Sequence, residues 1–315
     1  MDIMSKKSSA ELKELRKRNH IRDRSPVGTA VIYAVALLLA FITVYPMYYV
    51  LVLSLSSPHE ALTMRVYWWP KGFFTDGYKR ILSDGKLWVA YRNTIMYCSV
   101  RAFLNLATSV LAAYPLTVKK LYGRRFVTYF LLIPMYVSGG IIPEFILSTK
   151  LHLYNTPWAL ILPGAYSIWY IILVRSYFHS IPESLRESAK IDGANSYQIL
   201  WNVFLPTSKP ILAVIALYTI IGVWNSWYHA SIYITNRAWQ PLQLYLRRVL
   251  IEQTGQLANA IFDDAEALRM AQEQQISNNQ LKYTIIIISS LPMLIAYPFF
   301  QQYFVKGVML GSLKE

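Results

Sequence analysis

Six long apolar segments limit the fold that this chain of 315 residues can adopt. They lie at residues 28–55, 88–115, 126–148, 154–178, 210–234 and 283–305. A helix needs about 20 predominantly apolar residues to cross a hydrocarbon core about 30 Å thick. Charged residues make up only 15% of the chain, whereas a soluble protein carries about a quarter. The sequence therefore predicts an all-α integral membrane protein with six transmembrane helices.

The third segment is the one most interrupted by helix-breaking residues. It contains Pro134, Gly139, Gly140 and Pro143. Membrane bundles tolerate such residues because neighbouring helices and side chains satisfy the freed backbone groups. We therefore count 126–148 as a span.

Lys and Arg residues are distributed unequally between the two sets of alternating loops. The N-terminal tail, the 116–126 loop, the 175–209 loop and the C-terminal tail hold 18 of them, whereas the opposite set holds 11. Cytoplasmic loops carry the excess of Lys and Arg. We therefore expect both termini in the cytoplasm, with a basic tail at 1–27, a membrane domain at 28–305 and a short tail at 306–315. No cleavable signal peptide is expected, because the first apolar segment is far longer than the apolar region of a signal peptide.

Two long segments, 57–86 and 236–282, are then predicted to lie outside the cell. The first is rich in aromatic residues, which suits either a belt at the membrane interface or part of a docking surface. The second contains a helix-like stretch from Phe262, with acidic residues at its start as a helix N-terminus prefers. We expect a helix there.

Few residues suited to catalysis, metal binding or ion coupling lie in the apolar segments. No carboxylate occupies the centre of a predicted span, which argues against a carrier coupled to protons or sodium ions. The five histidines lack the spacing of a metal site, and the pair Gly72 and Gly77 is followed by Tyr78 where a nucleotide-binding loop has lysine. We therefore expect no catalytic residue, metal site or nucleotide site in this chain. Arg101 lies deep in the second span, where it could pair with another helix or line an aqueous path.

The net charge of +14 does not indicate a nucleic-acid partner. The basic residues lie between apolar segments, which is the placement of a topology signal. Membrane lipid is the expected surrounding. The single cysteine, Cys98, lies inside an apolar segment and is expected to be a packed small residue.

The predicted cytoplasmic loop 179–209 carries the pattern of two short helices. Pro182 can begin the first helix and Gly193 can end it. A second helix would place four apolar residues on one face before Pro206 ends it. These four are Tyr197, Leu200, Trp201 and Phe204. The pattern predicts a helix–turn–helix with an apolar face suited to a protein groove, although a loop resting on lipid headgroups would have the same composition.

The spacing in this loop closely resembles the EAA signature of ABC-importer permeases. That signature is Glu-Ala-Ala, three residues, Gly, nine residues, Ile, one residue and Leu-Pro. The matching residues here are Glu187, Ser188, Ala189, Gly193, Val203, Leu205 and Pro206, of which Ser188 and Val203 are conservative departures. Asp192 belongs to an Ile-Asp-Gly-Ala run at 191–194, the form that the loop takes in carbohydrate permeases.

Further motifs resemble the MalG-type carbohydrate permeases. They are Tyr45 with Pro46, Arg92 with Asn93 and Thr94, Ala112 to Pro115, and Trp224 with Asn225. The C-terminal sequence resembles the LplC/YtcP branch of that family, which is associated with complex oligosaccharides. The resemblance covers most of the chain. It implies the type I importer permease fold, also called MetI-like, with 179–209 as the cytoplasmic EAA coupling loop.

The resemblance also implies partners, cofactors and location. In such importers two homologous permeases form a heterodimer on two ATP-binding cassette ATPases, and an extracytoplasmic sugar-binding protein delivers the cargo. ATP and magnesium are then expected in the ATPase subunits and not in this chain. The expected location is the bacterial cytoplasmic membrane. The residues expected to couple this chain to the ATPase are Glu187, Ser188, Ala189, Asp192, Gly193, Leu205 and Pro206.

Trp224, Asn225, Trp227 and Tyr228 are candidates for the sugar pathway, because flat aromatic rings stack on sugars and amides bind hydroxyl groups. Packing between helices would explain the same residues. Two other functions stay open. One is a permease for a non-sugar solute, since the EAA loop reports docking to an ATPase and not the cargo. The other is a membrane-embedded transferase, which a cluster of catalytic acids would favour.

Overall fold

The computed structural model describes residues 26–63, 65–258, 281–299 and 301. Within these ranges all regular structure is helical and no strand occurs. A helix suits a bilayer because it satisfies its own backbone N–H and C=O groups where no water is available. The predicted all-α class is confirmed. The helix predicted from Phe262 lies outside the described residues.

The helices of the described ranges differ widely in length. In chain order they are α1 (Pro26–Ser54), α2 (Pro58–Leu62), α3 (Asp76–Leu82), α4 (Gly85–Ala113), α5 (Arg124–Tyr136), α6 (Ile141–Lys150), α7 (Trp158–Ile161), α8 (Ile168–Ser180), α9 (Glu183–Ile191), α10 (Ser196–Thr207), α11 (Lys209–Trp224), α12 (Trp227–Tyr233), α13 (Leu242–Ala258) and α14 (Leu281–Phe299). Short 3₁₀ turns follow α4 at Pro115–Thr117 and α7 at Leu162–Gly164, and another lies at Arg237–Trp239.

Three of these helices, α1, α4 and α14, are long and apolar enough to cross a membrane unbroken. Three further candidate spans are bent pairs. α5 meets α6 at 111°, α7 with its 3₁₀ turn meets α8 at 44°, and α10 meets α11 at 76°. Six crossings are reached when each bent pair counts as one span.

The predicted third span, 126–148, is not a continuous helix. α5 ends at Tyr136 and the backbone leaves helical geometry until Gly140, whose φ is 80°. Glycine reaches this φ easily because it has no Cβ. Pro143 then lies in the first turn of α6, where its missing N–H would have had no helical partner. The chain therefore turns by 111° at the break that contains Gly139 and Gly140, whereas Pro134 lies inside α5.

α4 is the central helix of the bundle. It packs against α8, α11 and α13, and two clusters of buried side chains lie along it. One cluster, with Leu87 and Trp224, joins α4 to α11, α12, α13 and α14. The other, with Tyr114 and Phe204, joins the C-terminal end of α4 to α8 and α10. Cys98 is buried in the first cluster, as predicted.

Arg101 lies at the middle of the second span and binds the backbone where the fourth span is broken. Its Nε donates to the carbonyl oxygen of Gly164 at 3.0 Å, and its Nη1 donates to that of Leu160 at 3.3 Å. Asn105 Nδ2 donates to the same Gly164 oxygen at 2.7 Å. A helix that ends inside a membrane leaves carbonyl groups without helical partners, and these side chains supply donors. Of the two roles open for Arg101, the structure shows pairing with another helix.

The variant Gly164→Ala should destabilise the protein. A Cβ at this position would lie 1.7 Å from the Arg101 guanidinium, so Arg101 would have to leave its carbonyl partners. Overpacking of this kind costs about 1–3 kcal/mol. The Tm of the purified protein in detergent should therefore fall. Gly222→Ala in α11 is the matched control, since a Cβ there meets nothing within 4 Å. Equal Tm values for the two variants would contradict the contact.

Candidate coupling site

The loop 179–209 folds as two short helices joined by a tight turn. Pro182 precedes α9 with a ψ of 131°, and Glu183 places a negative charge in the first turn, where the helix dipole favours it. Gly193 follows the last turn with a φ of 81°. The predicted start at Pro182 and end at Gly193 are both found.

Gly193 ends α9 in a Schellman motif. Its N–H donates to the carbonyl of Lys190 at 3.0 Å, and the N–H of Ala194 donates to the carbonyl of Ala189 at 2.9 Å. These are the two hydrogen bonds that define the motif, and they require a left-handed residue at the position of Gly193. Ala189 and Ala194 also pack on the cluster around Tyr114. The glycine of the EAA pattern thus fixes the direction in which the chain leaves α9.

Asn195 begins α10 with a capping box. Its Oδ1 accepts from the N–H of Gln198 at 2.9 Å, and the Gln198 Oε1 accepts from the N–H of Asn195 at 2.8 Å. This reciprocal pair of hydrogen bonds satisfies two backbone N–H groups that have no hydrogen-bond partner within the helix. With the Schellman motif immediately before it, the turn between α9 and α10 is held from both sides.

The apolar stripe predicted for the second helix is divided between two faces. Leu200 and Phe204 are buried, whereas Tyr197 is 74% and Trp201 61% exposed. The reason is the buried cluster around Tyr114, which includes Leu200 and Phe204 but neither Tyr197 nor Trp201. The helix also contains a π turn at Leu200–Phe204, in which the Leu205 N–H donates to the carbonyl of Leu200 five residues earlier. A π turn is wider than an α-turn, so it changes which residues share a face.

The prediction that Pro206 ends the second helix is wrong. α10 continues through Pro206 to Thr207, and the 76° bend lies at Ser208 before α11 begins. Proline lacks a backbone N–H, and the π turn directly before it already departs from α-helical bonding.

Arg186 connects α9 to the rest of the protein. It is 5% exposed, and its Nη2 donates to Thr117 Oγ1, just beyond α4, at 2.8 Å. The guanidinium lies 4.8 Å from the ring centroid of Phe204 and 5.7 Å from that of Tyr114. Glu183 lies 3.9 Å away on its own helix. Cation–π contacts and a charge-assisted hydrogen bond therefore join three elements at one side chain.

Sequence reasoning missed Arg186. Its helical spacing from Ala189, three residues on, indicates that the two share a face. Nothing in the sequence shows that this face is the buried one, because Thr117 and Tyr114 come from a distant helix. The aromatic partners form a compact group, in which the Phe178 and Phe204 ring centroids lie 5.2 Å apart.

Five of the seven EAA candidates lie on the exposed side of this loop. Glu187, Ser188, Asp192, Gly193 and Pro206 are exposed, whereas Ala189 and Leu205 are half-buried. The candidates from Glu187 to Gly193 lie together on α9 and the turn that follows it. Leu205 and Pro206 lie at the far end of α10. The Glu187 carboxylate forms no hydrogen bond or ion pair among the described residues, and it is too far into α9 to cap it. Ile191 is 86% exposed and adds an apolar side chain to this surface, next to Asp192.

The four candidates for the sugar pathway differ in their surroundings. Trp224 is 6% exposed, and its Nε1 donates to the carbonyl of Ser289 in α14 at 3.1 Å, which is a packing contact between helices. Asn225, Trp227 and Tyr228 are exposed. The Trp227 and Tyr228 ring centroids lie 5.6 Å apart at 82°. The Arg247 guanidinium of α13 lies 3.7 Å from the Trp227 ring centroid.

Within the described ranges, no group of three His, Cys, Asp or Glu side chains is placed to hold a metal ion. The loop 179–209 presents acidic and apolar side chains on its exposed side and is joined through Arg186 to the end of the central helix. Such a surface is suited to binding another protein.

Comparison with known proteins identifies the class. The family described as "Binding-protein-dependent transport system inner membrane component" matches residues 105–310. Protein LplC of Bacillus subtilis is 33% identical over 273 residues, 87% of this chain and 90% of that protein. The polygalacturonan/rhamnogalacturonan transport system permease protein YtcP of the same organism is 31% identical over 90% of this chain and 97% of its own.

A solved structure shows the same fold. The crystal structure of a bacterial ABC transporter involved in the import of the acidic polysaccharide alginate contains a chain that is 31% identical, with a TM-score of 0.77. The match covers 90% of this chain and 98% of that one.

The fold and the loop thus define a permease of the ABC-importer class. The chain belongs to the family of binding-protein-dependent transport system inner membrane components. The family resemblance inferred from the EAA spacing is confirmed, as is the MetI-like fold class.

Arg186→Ala should lower the stability of the folded protein more than Lys190→Ala does. The first removes a buried charge-assisted hydrogen bond worth about 1.5–3 kcal/mol, together with both ring contacts. Lys190 is an exposed cation on the same helix and serves as the control. The measurement is the Tm of each purified variant. A Tm for Arg186→Ala equal to that of Lys190→Ala would refute the anchoring role.

Proposed function

We propose that this chain is the carbohydrate-translocating permease of an ATP-driven importer, and that its loop 179–209 transmits closure of the ATPase to the membrane spans. Membership of the permease family supports the transport role. The names of two similar proteins support carbohydrate cargo, since one refers to polygalacturonan and rhamnogalacturonan and the other to alginate. Oligosaccharides are the cargo class that fits both.

The observation that carries the coupling role is the rigid link from the exposed loop to α4. Glu187, Asp192 and Gly193 face outward, whereas Arg186 on the same helix is fixed to Thr117 and the rings of Tyr114 and Phe204. A force applied to α9 by a bound ATPase would therefore reach α4 without a flexible joint. Movement of packed helices as units is a known route to alternating access.

The complete importer requires further subunits. We infer a second, homologous permease, two ATPase subunits that hold ATP and magnesium, and an extracytoplasmic sugar-binding protein. The family description itself refers to a binding protein. None of the most apolar 18-residue window of α1 is buried within this chain. That surface suits lipid or the second permease.

Both termini are proposed to lie in the cytoplasm of a bacterial cell, with the chain in the cytoplasmic membrane. Support comes from the position of the basic loop 118–125. It directly follows Thr117, and Thr117 is the partner of Arg186 in the coupling loop. The most basic short loop and the proposed ATPase-binding loop thus share one end of α4, in agreement with the positive-inside rule.

Gly193→Val should abolish sugar-stimulated ATP hydrolysis in the reconstituted importer. Valine at a φ of 81° is strained, so the Schellman turn and the outward face of α9 should be lost. Membrane insertion should be unchanged, because the loop lies outside the spans. Stimulated ATPase activity and oligosaccharide uptake into proteoliposomes are the measurements.

Gly123→Val is the matched control for this variant. Gly123 has a φ of 73°, and a side chain there also meets open space, but it precedes α5 outside the loop 179–209. Gly123→Val should retain most of the stimulated activity. Full transport by Gly193→Val would overturn the coupling assignment. Uptake of a non-sugar solute but of no oligosaccharide by the wild-type importer would overturn the cargo assignment alone.

Among the pathway candidates, exposure supports Asn225, Trp227 and Tyr228 as ligand contacts over the buried Trp224. The Trp227 ring, stacked with Arg247, has the flat face and adjacent donors that a sugar ring with its hydroxyl groups requires. We propose that Trp224 supports this group from within the helix bundle, through its bond to Ser289.

Trp227→Ala should reduce oligosaccharide uptake mainly through a higher KM, with little change in Tm, because the ring is partly exposed. Trp224→Phe should behave in the opposite way. It removes the hydrogen bond to Ser289, worth about 1 kcal/mol, and should lower the Tm while leaving the KM unchanged. Uptake kinetics and thermal unfolding separate the two. A normal KM in Trp227→Ala would remove Trp227 from the pathway.

A further inference from the structure

A narrow crevice lies between α5 and α8, which pack against each other at the end of the bundle that leads into the loop 179–209. Six of its lining side chains are aliphatic, and the two polar ones are Thr128 and Arg175. The space enclosed is only about 10 Å³, which is roughly the room that one water molecule needs, so a sugar does not enter it. A flexible hydrocarbon chain could lie along its mouth.

The crevice runs from the depth of lipid chains to the depth of lipid headgroups. Arg175 is its lining residue nearest to the end of α8, which lies five residues, about 7 Å, further on at Ser180. Ile168 lies about 10 Å in the opposite direction along the same helix. Arginine near the end of a span directs its charge towards the membrane surface. The aliphatic part of the crevice is therefore the deeper part.

Arg175 has no counter-charge within the described ranges. Its Nε is enclosed by the protein and has no hydrogen-bond partner among the described residues. The side chain as a whole is half-buried, and its two Nη groups are not among the enclosed atoms. A cation beside aliphatic side chains at the edge of a membrane is costly when nothing neutralises it. An anion that reaches the Nη groups would lower that cost.

Arg124 brings a second guanidinium to the same end of the crevice. It is the first residue of α5, and Thr128, one turn further on, lines the crevice. Arg124 and Thr128 are both half-buried, whereas Arg125 is exposed, so Arg124 lies on the face of α5 that adjoins the crevice. The charges of Arg124 and Arg175 both act on His179, in the last turn of α8.

The carboxylate nearest to this group is paired with another cation. Glu183 also acts on His179, and it lies 3.9 Å from Arg186. In the part of the chain that the structure describes, no carboxylate lies within 4.0 Å of Arg124 or Arg175. Two cations at the mouth of an aliphatic crevice are complementary to a molecule with a negative head and a hydrocarbon chain.

We propose that this crevice binds one anionic phospholipid, with its phosphate on Arg124 and Arg175 and an acyl chain along the aliphatic side chains of α5 and α8. Basic pockets between membrane helices are known to hold acidic lipid headgroups. By the topology proposed above, the lipid belongs to the cytoplasmic leaflet. A soluble ATPase suits the site less well, because the crevice opens beside the spans at the depth of the lipid.

Lipid titration of the purified importer complex, depleted of lipid in detergent and followed by native mass spectrometry, tests this site. The probes are dioleoylphosphatidylglycerol and dioleoylphosphatidylcholine, which share chains and a phosphate but differ in net charge. The wild-type complex should bind phosphatidylglycerol more tightly. Arg175→Gln and Arg124→Gln should each weaken that binding by about tenfold or more, the size of one lost charge-assisted hydrogen bond. Arg175→Lys should lose less, because it keeps the charge.

Arg125→Gln is the matched control, because it removes the same charge from an exposed side chain next to Arg124 that does not line the crevice. Its affinity for phosphatidylglycerol should change by less than about threefold, since solvent and salt screen an exposed cation. Glycerol 3-phosphate, which has the phosphate but no chains, is the control for the ligand and should bind far more weakly than the lipid.

Four results would overturn the site. They are equal wild-type binding of the two lipids, unchanged phosphatidylglycerol affinity in both Arg124→Gln and Arg175→Gln, and binding of glycerol 3-phosphate as tight as that of the lipid. The fourth is loss of the ATPase subunits from these two variants with lipid affinity unchanged, which would make the cations part of an ATPase contact. The titration involves neither cargo nor ATP hydrolysis, so its result does not depend on the proposed function.

Discussion

The structure depends on one constraint, which is that a broken helix inside a bilayer must have its carbonyl groups satisfied by other side chains. The fourth span is broken after Gly164, and α4 supplies the missing donors through Arg101 and Asn105. Thr108, further along α4, donates to the carbonyl of Ala165 at 3.1 Å. One face of α4 therefore carries a series of polar side chains that serve the backbone of its neighbour. The absence of a side chain at Gly164 is what lets the guanidinium come so close.

The same arrangement recurs at both ends of α4. Near its start, Asn93 Nδ2 donates to the carbonyl of Ala238 at 2.7 Å, and Thr94 Oγ1 accepts from the N–H of Leu242 at 2.8 Å. Just beyond its end, Thr117 accepts from Arg186. α4 and the 3₁₀ turn after it are thus bonded to the turn before α13, to the broken fourth span and to the loop 179–209. A helix of 29 residues, about 44 Å long at 1.5 Å per residue, connects the turn before α13 to the proposed ATPase contact.

The sequence allowed prediction of those features that depend on local pattern or length. The lengths of the apolar segments predicted the positions of α1 and α4. Pro182 and Gly193 predicted the two ends of α9. The sequence predicted that Gly193 ends the first helix of the loop, and the Schellman hydrogen bonds explain why a glycine stands there.

Other features depend on contacts between distant residues, and local pattern did not reveal them. The predicted apolar stripe was wrong because Leu200 and Phe204 pack in a cluster with Phe178 and Tyr114, which come from other helices, whereas Tyr197 and Trp201 stay exposed. Arg186 was overlooked because an arginine in an amphipathic helix is usually exposed, and only the rings around it make burial favourable. Arg101 was singled out from its depth in the membrane, but its partners are backbone carbonyls, which leave no mark in the sequence.

The π turn also has an architectural consequence. An α-helix advances by about 100° per residue, so one additional residue in a single turn rotates everything after it by that amount. Loss of one residue from Leu200–Phe204 would restore regular bonding, yet it would swing α11 and the Trp224 indole about the axis of α10. The number of residues in the π turn therefore sets the angle between the loop 179–209 and the fifth span. A deletion in this turn would alter the helix bundle more than most substitutions in the bundle would.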